Sequence, residues 1–570
     1  MTNQSALSPS RARIRALAVA LTALLLAALL PGAVAQAKPG NACDRRNNNT
    51  YQKLLDCITE KGVLEHQEAF QAIADANEDP VYPGTRAAGT EGYAESVEYV
   101  ADLLEAAGWE VELDPVDVTY NFPTILRQLE PVQADYETGA FSGSGDGEVE
   151  GQVIPVDINV TGDRANSSGC EATDFAGIDL SGENDIVLVQ RGTCNFGDKA
   201  LNAETAGAEA VIIFNQGNTA DREGLIVANA STLTDGTSVQ HGIPVVGASF
   251  ADGVALSQAG STAFVFVESE TRTDYNVIAE LPGDNDDNVV MAGAHLDSVT
   301  EGPGIQDNGS GSAALLELAL SLSKLKPENT LRFAWWAAEE QGLVGSEDYV
   351  AGLSQDELDR IAAYLNFDMI SSPNFIYGVY DADESSFEAP EGVPIPEGSV
   401  ALEDLFEQYF TWQGIPYDDS AFSGRSDYQA FIFEDIPASG LFTGAEVPKR
   451  EDQEAIWGGV TGAQFDPCYH LACDSLDPDS EEPQRDRAVY AELRAENDLV
   501  GNVSLEALGV NSDAIAFAVL TLAYSTEDVN GVEGRRVPGS RALDLPTEFD
   551  GPRMTGGTEA AGSAAAADAS

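Results

Sequence analysis

The order of apolar and polar positions already separates this chain into blocks. In "TRAAGTEGYAESVEYVADLLEAAGWEVELDPV" a glycine-containing turn leads into a run where Val97, Val100, Leu103 and Leu104 recur at helical spacing. That stripe predicts a helix from about Ala94 to Ala107, followed by a strand. From about Val132 the texture changes to Gly, Ser and Asp between short β-like runs, "GQVIPVDI", "DIVLVQRG", "AVIIFN" and "IPVVGAS", with one helix pattern, "FGDKALNAETAGA", among them. This block ends near Val267. After it come the strand "NVVMAGAHLDS", the helix "GSAALLELALSLSKL" and the strands "TLRFAWWAAEE" and "AYLNFDMI". Strands alternating with helices predict an α/β fold: a mixed, mostly parallel central sheet flanked by helices, with the β-rich block inserted. Ligands of such sheets collect outside the carboxyl ends of the strands, so the chemistry is expected there.

Composition narrows the partners. With 570 residues the chain exceeds one ordinary domain, and 43% hydrophobic content suits a globular protein. A formal net charge of −66 repels nucleic acid and anionic membrane surfaces, so neither is expected as a partner. Arg11, Arg13 and Arg15 precede an apolar run from Ala16 to Leu30, and "AVAQA" then offers small-residue cleavage sites. This order describes a secretory signal peptide over 1–37 and implies a secreted, extracellular protein. The run is short for a membrane span of about 20 residues, and no later stretch is expected to be long enough. In an oxidising compartment the six cysteines pair, and proximity favours Cys43 with Cys57, Cys170 with Cys194 and Cys468 with Cys473. The last bridge would close a tight loop, "CYHLAC", around His470.

The strand ends carry the candidate chemistry. His295 and Asp297 end the first of the later strands, Glu339 and Glu340 the second and Asp368 the third. Asp307 lies in the glycine-rich loop "QDNGSG", and His470 comes much later. Two imidazoles with three carboxylates suit Zn²⁺, with Mn²⁺ and Co²⁺ as competitors. If Asp307 bridges, five ligands serve two ions, each with room for a shared water. Asp297 alternates onto the same face as His295, where it can accept the second imidazole N–H and hold the tautomer. Of the adjacent glutamates, one can bind metal while the other faces the water as a base. His66 and His241 fall outside this set. Ca²⁺ is compatible with so acidic a chain, but no EF-hand loop is present.

Together these motifs resemble the secreted bacterial di-zinc aminopeptidases of the leucine type, with "DIVLVQRGTCNFGDKALNAETAGAEAVIIFN" resembling their inserted protease-associated (PA) domain. The resemblance covers most of residues 62–525. It implies two Zn²⁺ per chain, one held by His295, Asp307 and Asp368, the other by Asp307, Glu340 and His470. It further implies Glu339 in "AAEEQGL" as the general base, Tyr469 as a helper of the tetrahedral intermediate, and Arg425 in "SGRSDYQAF" as a substrate contact. A cis peptide bond after Asp307 is also implied. The corresponding domains are an N-terminal segment or propeptide over 38–61, a catalytic domain over 62–131 and 268–525, the PA domain over 132–267, and a low-complexity tail over 526–570. The expected function is removal of hydrophobic residues such as Leu from peptide N-termini, by a monomer. The alternatives are a carboxypeptidase or glutaminyl cyclase built on the same metals, and a metal-free receptor-like relative.

Overall fold

The computed structural model describes residues 42–390, 392–477, 486–543 and 545–546. The signal peptide over 1–37 and the end of the tail lie outside the described residues. From Asn48 onward the chain forms one unit, while the described part of the preceding unit is the short helix Ala42–Arg45.

The helix expected near Ala94 spans Glu91–Ala107. The Thr90 side chain caps its start by accepting from Tyr93 N–H, and Gly108, at φ 95°, ends it in the left-handed region that glycine adopts without strain. Strand β1 (Glu110–Asn121) follows and leads directly into the inserted domain. There, β2 (Ile125–Glu130), β3 (Ala134–Tyr136), β4 (Gly147–Pro155), β5 (Asp185–Gln190), β6 (Ala210–Phe214), β7 (Val245–Ala248) and β8 (Thr262–Val267) form a seven-stranded sheet in the order β3-β2-β8-β4-β5-β6-β7. β5 and β6 are buried at every position, which is why they read as unbroken apolar runs. The insertion therefore starts by Ile125, ahead of the boundary at 132, because β2 pairs with β8.

The chain then returns through β9 (Ser269–Leu281), β10 (Asn285–His295), β11 (Asn329–Trp336), β12 (Ile361–Phe367), β13 (Gly378–Tyr380), β14 (Asp418–Ser420) and β15 (Ala438–Phe442). With β1 these build an eight-stranded sheet in the order β1-β9-β11-β10-β12-β15-β13-β14. Its middle strands, β11, β10, β12 and β15, are parallel, and antiparallel pairs flank them. Side chains of β10 alternate between two cores. Val290, Ala292 and Ala294 pack with the helices Glu91–Ala107, Gly309–Leu322 and Leu505–Leu522, while Val289 and Met291 pack on the opposite face with Tyr364 and Phe431. Covering both faces leaves the carboxyl edge of the parallel strands as the open place for a site.

Two further expectations change. Helix Leu505–Leu522 is long and apolar enough, by length and composition, to cross a membrane, with mean hydropathy 1.4. Of that window 67% is buried against the sheet and neighbouring helices, so its apolarity serves the core. The tail also begins later than 526: Thr526 is buried and hydrogen-bonded to Asn288, Glu527–Asn530 is a helical turn, and Val537 belongs to the core. Cys170 pairs with Cys194 and Cys468 with Cys473, and Cys43 and Cys57 are also disulfide-bonded.

Candidate metal centre

Folding brings the dispersed polar residues to one point. His295 is the last residue of β10, and its Nε2 stands 3.3 Å from Asp307 Oδ1 and 3.4 Å from Asp368 Oδ1, just past the end of β12. On the other side of Asp307, His470 Nε2 stands 3.4 Å from Asp307 Oδ2 and 3.1 Å from Glu340 Oε2. Each oxygen of Asp307 therefore faces a different imidazole. Two donor groups result, His295 with Asp307 and Asp368, and Asp307 with Glu340 and His470, each with its donor atoms within 4.8 Å of one another.

The local backbone explains how each side chain arrives. The peptide bond Asp307–Asn308 is cis, as the resemblance implies. Asn308 then caps helix Gly309–Leu322 through Gly311 N–H, and its side-chain amide donates to Phe367 O at the end of β12. Glu339 and Glu340 lie in the 3₁₀ turn after β11. Their backbone N–H groups donate to the two oxygens of Asp297, at 3.1 and 3.3 Å. Asp297 Oδ1 also faces His295 Nδ1 at 3.4 Å, so one buried carboxylate orients the imidazole and the glutamate turn together. His470, at φ 55°, sits inside the loop closed by Cys468–Cys473 and stacks on Tyr469 with ring centroids 3.8 Å apart. Arg425 Nη2 reaches the Tyr469 hydroxyl at 3.4 Å, while its Nη1 binds Glu446 at 2.8 Å.

A ring of supporting residues escaped sequence reasoning. Asp474 accepts from the backbone N–H groups of Gln306 and Asp307, both at 2.9 Å, tying the disulfide loop to the Asp307 loop. Ser426 donates to Asp368 Oδ2 at 2.6 Å. Arg86 is fully buried, and its guanidinium donates to the carbonyls of Leu296, Pro303 and Gly304, bracing the loop that returns Asp307 to His295. Adjacency to Cys473 and Arg425 was the available signal for Asp474 and Ser426; for Arg86 there was none.

A cavity of about 510 Å³ opens from this cluster, lined by Arg425 and Tyr469 and by the apolar side chains of Met369, Ile376, Tyr380 and Phe442. The description "Peptidase family M28" matches residues 276–493, and "PA domain" matches residues 149–256. An aminopeptidase of Pseudomonas aeruginosa is 43% identical over 484 residues, 83% of each chain. The chain belongs to peptidase family M28. Leucine aminopeptidase 2 of Trichophyton rubrum is 34% identical over 514 residues, covering 89% of this chain and 92% of its own. Among solved structures, the aminopeptidase from Aneurinibacillus sp. strain AM-1 shares the fold at 24% identity and a TM-score of 0.57, over 88% of this chain and 99% of its own.

The polar atoms of this M28 centre fit divalent cations. Asp368 Oδ1 and Glu340 Oε1 are buried and have no hydrogen-bond partner among the described residues. Four carboxylates converge on two imidazoles, and Arg425 is engaged by Glu446. Burial pushes the Glu339 carboxyl well above its usual range, aided by Glu340, Asp368 and Asp427. Burial and then Asp307 push Glu340 to about 7. Burial opposes charge on the imidazoles, yet the surrounding carboxylates outweigh it, holding His295 well above its ordinary value and His470 at about 11. In turn the two imidazoles hold Asp307 below its usual range in spite of burial. Protons thus stand where dications would supply the positive charge.

This arrangement fixes the sign of a pH effect on metal-free protein. A protonated His470 contributes stability fully below its ordinary value of 6.5, and that contribution is lost as pH rises toward 11. Glu340, raised from 4.5, also favours the folded state less as pH climbs toward 7. Chelated protein is therefore expected to melt at a lower temperature at pH 8.5 than at pH 6, and the upward shift on adding Zn²⁺ is expected to be larger at pH 8.5, because metal must displace these protons. Thermal melts at the two pH values check it, and equal Zn²⁺ shifts would count against it.

Proposed function

We propose that this M28 peptidase is an exported aminopeptidase that binds two Zn²⁺ ions and removes hydrophobic N-terminal residues from peptides. The observation that carries the reading is Asp307, whose two oxygens face two separate imidazoles, each completed by a further carboxylate. His295, Asp307 and Asp368 would hold one ion; Asp307, Glu340 and His470 would hold the other. Zn²⁺ held there would polarise the scissile carbonyl and acidify an attacking water.

The remaining work falls to side chains. Glu339 Oε2 lies 3.9 Å from His295 Nε2, and in this reading it would take a proton from the attacking water and return it to the leaving amine. Tyr469, whose hydroxyl accepts from Arg425, would donate that hydroxyl to the developing oxyanion. Asp297 keeps the His295 ring and the glutamate turn in register. The apolar lining of Met369, Ile376, Tyr380, Phe442 and Phe465 suits a side chain such as Leu.

Charge favours the aminopeptidase over a carboxypeptidase. A substrate's terminal carboxylate needs a cation, but the two arginines lining the cavity, Arg425 and Arg450, are engaged by Glu446 and Asp418. A free ammonium meets carboxylates instead. Hydrolysis of leucine p-nitroanilide beside its N-acetylated analogue tests this. The free amine is expected to be cleaved at least about 100-fold faster than the blocked compound, because the blocked amine leaves buried polar groups unpaired. Cleavage of the blocked compound at a similar rate would overturn the reading.

A further inference from the structure

Two cavities meet at Glu340. The first, with its apolar lining, takes the residue before the scissile bond. The second, of about 840 Å³, lies beyond Glu340 and Asp297, between the catalytic sheet and the inserted domain. An aminopeptidase holds one residue before the bond it cuts, so the rest of the peptide must leave the centre elsewhere. The second cavity adjoins it, since both are lined by Glu340.

The walls of that space have strand-like and acidic character. One wall is β1, an edge strand of the catalytic sheet. At Thr119 its outward edge is satisfied by Gln341, whose side-chain amide donates to Thr119 O at 2.9 Å and accepts from Thr119 N–H at 3.0 Å. Gln341 directly follows Glu340, so its side chain ties the turn that carries Glu340 to the β1 wall of the second cavity. The facing wall comes from residues 138–144 of the inserted domain. Asp117, Asp146 and Glu301 line the space away from the metal ligands, each touched by a hydroxyl from Thr273, Ser269 or Thr300. No lining residue is Lys or Arg.

We propose that this second cavity receives the peptide segment following the scissile bond and selects segments bearing Lys or Arg; the inference rests on the aminopeptidase reading above. An exposed ion pair contributes a factor of roughly 1.4–5 to binding. Two basic residues therefore give roughly a 2–25-fold advantage over two neutral ones and a larger one over two acidic ones, shrinking with added salt. The net charge of −66 also attracts basic peptides, so the test must separate the cavity from the whole surface.

The ratio of kcat/KM for Leu-Lys-Lys-Ala over Leu-Glu-Glu-Ala, measured within each protein at low ionic strength, does so. In the triple variant Asp117→Asn, Asp146→Asn, Glu301→Gln the ratio is expected to fall toward one. In a remote triple variant on the exposed face of helix Glu91–Ala107, Glu95→Gln, Glu98→Gln, Asp102→Asn, it is expected to stay at the wild-type value. An unchanged ratio in the cavity variant, or an equal fall in the remote one, would overturn the inference while leaving the aminopeptidase reading intact. Wild-type protein that cuts neither peptide would overturn that reading and the inference with it.

Discussion

Glu339→Gln is expected to lower turnover of leucine p-nitroanilide by at least the roughly 10²–10⁴-fold associated with a positioned acid–base group, with metal content unchanged. The substitution keeps shape and hydrogen-bonding reach but removes the ability to accept a proton. Glu340→Gln is expected to fail for a different reason. Glu340 Oε2 sits 3.1 Å from His470 Nε2, so the neutral amide weakens one metal site, and activity should follow metal occupancy. Excess Zn²⁺ should restore part of the activity to the Glu340 variant and none to the Glu339 variant. The backbone N–H groups of both residues bind Asp297, so neither substitution removes the anchor of the turn. Rescue of the Glu339 variant alone would reverse the two roles, and near-normal activity in both would place the catalytic centre elsewhere.

The parallel strands were legible because burial on both faces leaves an unbroken apolar signature, as in "NVVMAGAH" and β5. The ligand residues were legible because they sit where those strands end, an address that the alternation of strands and helices already specifies. The supporting residues were not. Asp474 reaches the Asp307 loop across 167 positions and Arg86 reaches Leu296 across 210, and no local period records such contacts. Helix Leu505–Leu522 misleads by composition, since an apolar helix inside a large core and one inside a bilayer look alike until the neighbours are known. The tail boundary was misplaced for a similar reason: "TEDVN" has the composition of a surface turn, yet Thr526 is buried against Asn288.

Asp307→Asn is expected to be the most damaging single change. Each Asp307 oxygen faces a different imidazole, so losing the negative charge weakens both metal sites at once, whereas His470→Asn weakens one. The Asp307 loop should persist, because Asp474 and Asn308 hold it through backbone groups that the substitution leaves in place. Activity of Asp307→Asn should therefore fall beyond the range expected for Glu339→Gln, and added Zn²⁺ should recover little of it. Counting Zn²⁺ per chain by elemental analysis in wild type, His470→Asn and Asp307→Asn, after dialysis against the same trace of Zn²⁺, tests the shared-carboxylate centre most directly. Two ions, about one and close to none are expected, respectively. Two ions retained in Asp307→Asn, or a single ion in fully active wild type, would contradict it.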